Sequence, residues 1–95
     1  MSQQSTPSVT NNTAAGRFEI RTEAGTAALK YVPGGESIEL VHTEVPPAFE
    51  GRGYGKALVE AALAYARAEG LKIVPTCPFV KHYVDTHPDA AALVA

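Results

Sequence analysis

Apolar and polar residues alternate through the first half of the chain and fall at helical spacing through the second. Arg17-Phe18-Glu19-Ile20-Arg21 alternates charged and apolar side chains, the pattern of a half-buried strand. Ala27, Leu29 and Tyr31 then share one face, with Lys30 on the other. Glu23-Ala24-Gly25 and Pro33-Gly34-Gly35 are turn signals on either side of this second run. Glu36 to Val45 reads as a third strand. Period two puts Ile38, Leu40, His42 and Glu44 on one face, which begins apolar and ends polar. Such a face leaves a core and enters a cleft. Turns this short impose an antiparallel meander, because parallel pairing needs a long crossover.

Pro46-Pro47-Ala48-Phe49 ends that strand, since proline cannot continue a central ladder. From Lys56 to Glu69 the period becomes helical: Leu58, Ala62, Tyr65 and Ala66 form one stripe, with Val59 and Leu63 beside it. Gly70 is a helix stop. Leu71-Lys72-Ile73-Val74 is short and apolar, as for an inner strand reached by a right-handed crossover and lying parallel to the third strand. Pro75-Thr76-Cys77-Pro78 stops it. Phe79 to Thr86 predicts a short helix with Phe79, Val80 and Tyr83 inward, broken at His87-Pro88. Asp89 to Ala95 adds an alanine-rich turn. The expected fold class is α/β (α+β): a meander plus one parallel strand, with two to three helices. Met1 to Ala15 is polar, with little to bury, and reads as a disordered tail. Residues 16–95 read as a single domain without internal repeats.

Composition narrows the function. The chain has 95 residues, room for one modest core, and a monomer or weak homodimer is expected. The apolar fraction of 45% and charged fraction of 19% are those of an ordinary soluble globule. A net charge of −2 argues against nucleic acid as a partner, because phosphate neutralisation wants a basic face. One cysteine excludes an intrachain disulfide framework, and no Cys/His spacing suits a metal. With no apolar targeting segment and no membrane-length apolar run, a cytoplasmic location is expected.

The candidate chemistry sits between the third strand and the long helix, in Glu50-Gly51-Arg52-Gly53-Tyr54-Gly55-Lys56. Three glycines in five residues indicate a sharp bend and a close approach. The helix that follows points its free N–H groups at whatever approaches, which favours a phosphate. A Walker loop fails here: Glu50 stands where its first glycine belongs and Ala57 where its hydroxyl belongs. A dinucleotide fingerprint fails because the third glycine is out of place. The loop instead resembles the pyrophosphate loop of the GNAT acetyltransferases, Q/R-x-x-G-x-G/A, departing from it only at Glu50. His42-Thr43-Glu44-Val45-Pro46, the loop, and Pro75-Thr76-Cys77-Pro78-Phe79-Val80 with Tyr83 and His87-Pro88 occur in order. Together they resemble the small, minimal GNAT-like proteins of the YjdJ type, the N-acetyltransferase domain-containing group, over residues 17–90.

That resemblance implies a minimal acyl-CoA acyltransferase fold and acetyl-CoA as cosubstrate, with no metal. It implies that Gly51, Arg52, Gly53, Tyr54 and Gly55 cradle the pyrophosphate, aided by Lys56, whose alternative is a solvated helix start. It also implies that the pantetheine arm runs along Thr43 to Val45 like an added strand. The reaction implied is acetyl transfer to an amine: a small amine, or a lysine or N-terminus of a protein. Cys77, between prolines at a helix start, is either an acyl-carrying nucleophile or a small buried residue. Tyr83 matches the tyrosine that protonates the leaving thiolate in many relatives, or is a core aromatic. Glu44 or His42 is the candidate base, or merely exposed. Usual family members carry extra helices near their start that shape the acceptor site, and this chain lacks them. Two alternatives stand beside the enzyme: a non-catalytic CoA-binding module, and an interaction domain without a ligand.

Overall fold

In a computed structural model describing residues 7–95, five strands form one sheet in chain order: β1 (Thr10–Asn12), β2 (Arg17–Thr22), β3 (Gly25–Pro33), β4 (Ser37–Glu44) and β5 (Lys72–Pro75). The first four pair antiparallel, and β4 pairs parallel with β5. The helices are α1 (Tyr54–Glu69), α2 (Pro78–Thr86) and α3 (Pro88–Ala91), and a 3₁₀ turn spans Pro47–Phe49. The mixed sheet and three helices are those the hydrophobic pattern predicts. Among the described residues no helix is long and apolar enough to cross a membrane.

One core lies between the sheet and the helices. The sheet contributes Phe18, Ile20, Leu29, Tyr31, Ile38, Leu40 and Ile73. Helix α1 contributes Ala57, Leu58, Val59, Ala62, Leu63 and Ala66, and α2 adds Val80 and Val84. Ala28 is also buried but stands outside this cluster, on the opposite face of the sheet. That opposite face carries Arg17, Glu19 and Lys30, the cross-strand company of Ala28. Helix α1 ends at Gly70 in the left-handed region, φ 69°, with Leu71 N–H donating to the Ala66 carbonyl at 2.8 Å.

Four expectations are corrected. The stretch 1–15 is not tail throughout: β1 pairs with β2, and residues 1–6 lie outside the described residues. What holds β1 is hydrogen bonding rather than apolar burial. The Tyr31 hydroxyl donates to Asn11 Oδ1 at 2.7 Å, and Asn12 Nδ2 donates to Glu19. Second, β5 is the last strand of the sheet and not an inner one. Its outer edge is covered by the segment after α3, through Ile73 N–H to the Leu93 carbonyl at 2.8 Å and Ala95 N–H to the Ile73 carbonyl at 2.9 Å. Third, Phe79 does not turn inward; it is 44% exposed.

The fourth correction concerns β4. Lys30 pairs with His42 and Tyr31 with Leu40, so Val41 is an extra residue, a β-bulge. A bulge resets the period-two alternation. Thr43 opposes buried Leu29 and so faces the core, whereas His42 opposes Lys30 and Glu44 opposes Ala28 on the open face. His42 and Glu44 therefore do not share a face with Ile38 and Leu40.

Leu58 is fully buried in the N-terminal half of α1. Leu58→Ala is expected to lower unfolding free energy by about 2–5 kcal/mol in denaturant melts. A loss below 1 kcal/mol would mean that α1 does not anchor this core.

Candidate functional site

Prolines set up the loop between β4 and α1. Pro46 and Pro47 stop the strand, and the 3₁₀ turn delivers Phe49 to the loop. Gly51 and Gly53 then adopt φ of 80° and 83°, the left-handed region that side-chain-bearing residues avoid. Gly53 is the N-cap of α1, and the first helix bond runs from Ala57 N–H to its carbonyl at 3.0 Å. The N–H groups of Tyr54, Gly55 and Lys56 consequently have no acceptor within the helix. Gly55 is needed for a different reason: a Cβ there would lie 2.9 Å from the Phe79 ring.

These residues wall a cleft of about 480 Å³, lined by Thr43, Val45, Phe49, Glu50, Gly51, Gly53, Tyr54, Gly55, Lys56 and Phe79. Seven of the eight expected coenzyme contacts line it. Arg52 does not; its guanidinium lies 4.8 Å from the centroid of the Phe49 ring instead. Phe49 and Phe79 were not expected in the cleft. A hint was available for Phe79, since a glycine on a facing helix turn marks a close neighbour.

The cleft meets the sheet where β4 and β5 part. Their pairing ends at Leu40 opposite Pro75, while β4 continues to Glu44. Cys77 N–H donates to the Leu40 carbonyl at 2.9 Å and closes the pair. Beyond that point no backbone group of the described residues pairs with the outer edge of β4. Such an edge is open to an extended ligand.

Cys77 is the N-cap of α2 and is 3% exposed. Its Sγ lies 3.3 Å from Thr43 Oγ1, and Thr43 is the cleft residue that reaches it. His42 Nε2 and Glu44 Oε2 are 3.2 Å apart, exposed on the far side of β4. Tyr83 is elsewhere. Its hydroxyl donates to Glu60 Oε2 at 3.0 Å, and its ring stacks on His87 at 3.8 Å, beside a separate cavity that Glu60, Arg67 and Asp89 also line. Burial, and then the Glu60 carboxylate, push the Tyr83 phenol above the usual tyrosine range. Thus Thr43 and Cys77 meet at the cleft, His42 and Glu44 meet on the open face, and Tyr83 joins neither group. Among the described residues no cluster of His, Cys, Asp or Glu suits a metal ion.

Gly53→Ala forces a Cβ into left-handed backbone and is expected to lower stability by about 1–2 kcal/mol in thermal or denaturant melts, with a loss under 0.5 kcal/mol contradicting the loop geometry. The raised Tyr83 value favours the protonated phenol in the folded chain. Its contribution is therefore present below the ordinary tyrosine value of about 10 and is lost as pH rises through the higher folded value. Absorbance titration at alkaline pH should show Tyr83→Phe losing a late-ionising phenol and Glu60→Gln moving it earlier. A Tyr83 phenol that ionises together with an ordinary tyrosine, read from the difference between the wild-type and Tyr83→Phe curves, would contradict the contact.

The sequence profile of the GCN5-related N-acetyl-transferase family matches residues 17–93. Similar proteins include the NATD1 proteins of Xenopus tropicalis, 44% identical over 55 residues, 58% of this chain and 50% of that one. The human NATD1 protein is 45% identical over 51 residues, 54% of this chain and 45% of that one. This chain thus spans about half the length of the curated relatives it matches. A GCN5-like protein from Staphylococcus aureus, solved by NMR, superposes with a TM-score of 0.74 at 25% identity, over 97% of this chain and 91% of that one. The match over most of the chain, on a sheet whose parallel pair opens beside a glycine loop, shows that the chain belongs to the GCN5-related N-acetyltransferase family.

Proposed function

We propose that this chain is an N-acetyltransferase, moving acetyl from acetyl-CoA to an amine. The observation that carries this reading is the unpaired outer edge of β4 beside a loop whose helix N–H groups are free. An extended pantetheine arm can pair along Thr43 to Val45, as an added strand does. The pyrophosphate then meets the amides of Gly51 to Gly55, with the Lys56 ammonium as point charge. Glu50 lines the same cleft. Its carboxylate opposes an anion, so Glu50→Gln should tighten the complex.

The reaction asks for a neutral amine. Its lone pair attacks the thioester carbonyl, a C–N bond forms and the C–S bond breaks. The surplus amine proton leaves to solvent, because the His42–Glu44 pair lies on the far side of β4 from the cleft, and the coenzyme thiolate leaves and takes up a proton from solvent. Cys77 offers a two-step variant, in which its sulfur first accepts the acetyl group and then yields it to the amine. The acceptor is a small amine, or a lysine or N-terminus of a protein.

A second reading, a CoA-binding module without turnover, is favoured by two observations. Cys77 is nearly closed to solvent, and Tyr83 is engaged with Glu60 rather than turned toward the cleft. Titration with CoA, followed by amide chemical shifts, is expected to move Gly51, Gly53 and Gly55 first. If those amides stay fixed at saturating CoA, the coenzyme reading is wrong. With acetyl-CoA and an amine, thiol release above the hydrolysis background separates the enzyme from the module. Intact-mass measurement after acetyl-CoA alone tests Cys77: an added acetyl group absent from Cys77→Ala supports the two-step variant, and no adduct rules it out.

A further inference from the structure

The cavity beside Tyr83 measures about 290 Å³ and lies where α1, α2 and α3 meet. It shares no lining residue with the glycine-loop cleft. Its floor is apolar, made by the buried Leu63 and Ala90. Its rim is polar. Glu60 and Arg67 come from the same stripe of α1 as Leu63, three and seven residues apart along the helix. Tyr83 comes from α2, His87 from the junction, and Asp89 from α3. Two of these walls are held in place. The Tyr83 hydroxyl donates to Glu60 Oε2 at 3.0 Å. The His87 ring lies parallel to the Tyr83 ring, within 1°, and its Nδ1–H donates to the Tyr83 carbonyl at 2.8 Å. The charges are not spent on one another: among the described residues Glu60, Arg67 and Asp89 make no salt bridge. All three are nevertheless felt at one hydroxyl. Burial and the Glu60 carboxylate raise the Tyr83 phenol most, Arg67 lowers it, and Asp89 raises it further.

We infer that this cavity is a binding site for a small zwitterion, an α-amino acid, with its carboxylate on Arg67, its ammonium on Glu60 and Asp89, and its side chain on the Leu63–Ala90 floor. The chemistry selects a ligand that carries both signs. A phosphate or a dicarboxylate would meet two carboxylates that repel it, and a diamine would meet Arg67. The guanidinium fork matches a carboxylate through two parallel N–H donors. An ammonium brings three donors and no acceptor, and ionised carboxylates only accept. Size agrees: the cavity falls at the lower end of small-molecule sites, about 300–1,000 Å³, which suits an amino acid rather than a nucleotide. The Tyr83–Glu60 and His87–Tyr83 contacts hold two walls before any ligand arrives, which lowers the ordering cost of binding. Nothing in this site draws on the coenzyme reading, since the cleft residues take no part in it.

The test is a titration of the full chain with L-valine at neutral pH, followed by nitrogen-15 chemical shifts. Saturable shifts are expected at the Arg67 side-chain N–H and at the His87 and Asp89 amides, with a dissociation constant of about 1 mM or below. The amides of Gly51, Gly53 and Gly55 are expected to stay fixed. Two capped probes each remove one charge: valinamide lacks the carboxylate and N-acetylvaline lacks the ammonium. Each is expected to bind the wild type about 10- to 100-fold more weakly than valine, the range for charge-assisted hydrogen bonds. In Arg67→Gln the gap between valine and valinamide is expected to close, while the gap between valine and N-acetylvaline persists. Absence of saturable shifts at the three positions up to about 20 mM valine overturns the site. So does equal binding of valine and the capped forms by the wild type, a comparison that needs no variant. Shifts confined to the glycine loop place the ligand elsewhere and also overturn it. A valine–valinamide gap that survives in Arg67→Gln removes Arg67 as the carboxylate partner and overturns the proposal as well.

Discussion

The hydrogen bond from Cys77 N–H to the Leu40 carbonyl is the constraint on which the site depends. It is the last rung between β4 and β5. Without it the crossover strand would have no defined end, and α2, which begins at Pro78, no defined start. Pro75 and Pro78 remove the donors that would let the ladder continue, so the two strands are obliged to part there. The freed edge of β4 remains tolerable because its backbone groups face a solvent-filled cleft rather than a core. Opening a sheet from within is costly in most places; here the cost is confined to the few residues after Leu40.

The glycine loop solves the complementary problem just beyond the same end of β4. Gly51 and Gly53 bend the chain, and Gly55 makes room for Phe79. Of the three, only Gly55 lies inside the helix, where glycine forfeits about 0.5–1 kcal/mol relative to alanine; Gly51 and Gly53 sit in left-handed backbone that alanine would strain. The compensating core lies wholly on the helix side of the sheet. Helix α1 supplies a continuous buried stripe from Ala57 to Ala66 to hold the loop from behind. The other side of the sheet carries charged residues together with the buried methyl of Ala28 and the exposed side chains of Val32 and Val74.

Most of the fold was legible because period two and period 3.6 are written plainly in the apolar residues. The Phe18–Ile20 and Ile38–Leu40 strands and the α1 stripe are where the alternation puts them. So is the cleft beside the loop, whose glycines announce themselves by number. What escaped has a common cause: forces that leave no apolar signal. Strand β1 is Thr-Asn-Asn and is fastened by side-chain hydrogen bonds to Tyr31 and Glu19. Phe79 looks like core by composition, yet its partner is the empty space of a missing glycine side chain. Period two alone misplaces His42 and Glu44, because Val41, which breaks it, is an ordinary strand residue. The place of Tyr83 could not be read because Glu60, its partner, is 23 positions away on another helix.

The Val41 bulge reaches beyond this one chain. It divides β4 into two segments that are out of phase by one residue, so Thr43 sits with the core-side positions while His42 and Glu44 sit with the outer ones. A pairwise comparison that places a one-residue gap on the wrong side of Val41 would exchange these identities, matching an inward hydroxyl to an outward imidazole. Comparisons of this strand among relatives therefore need the bulge as a fixed landmark. Once it is fixed, the two sides become separable: drift at 42 and 44 alters what meets the surroundings, and drift at 43 alters what meets Cys77. One inserted residue lets the two surfaces of a single strand vary independently.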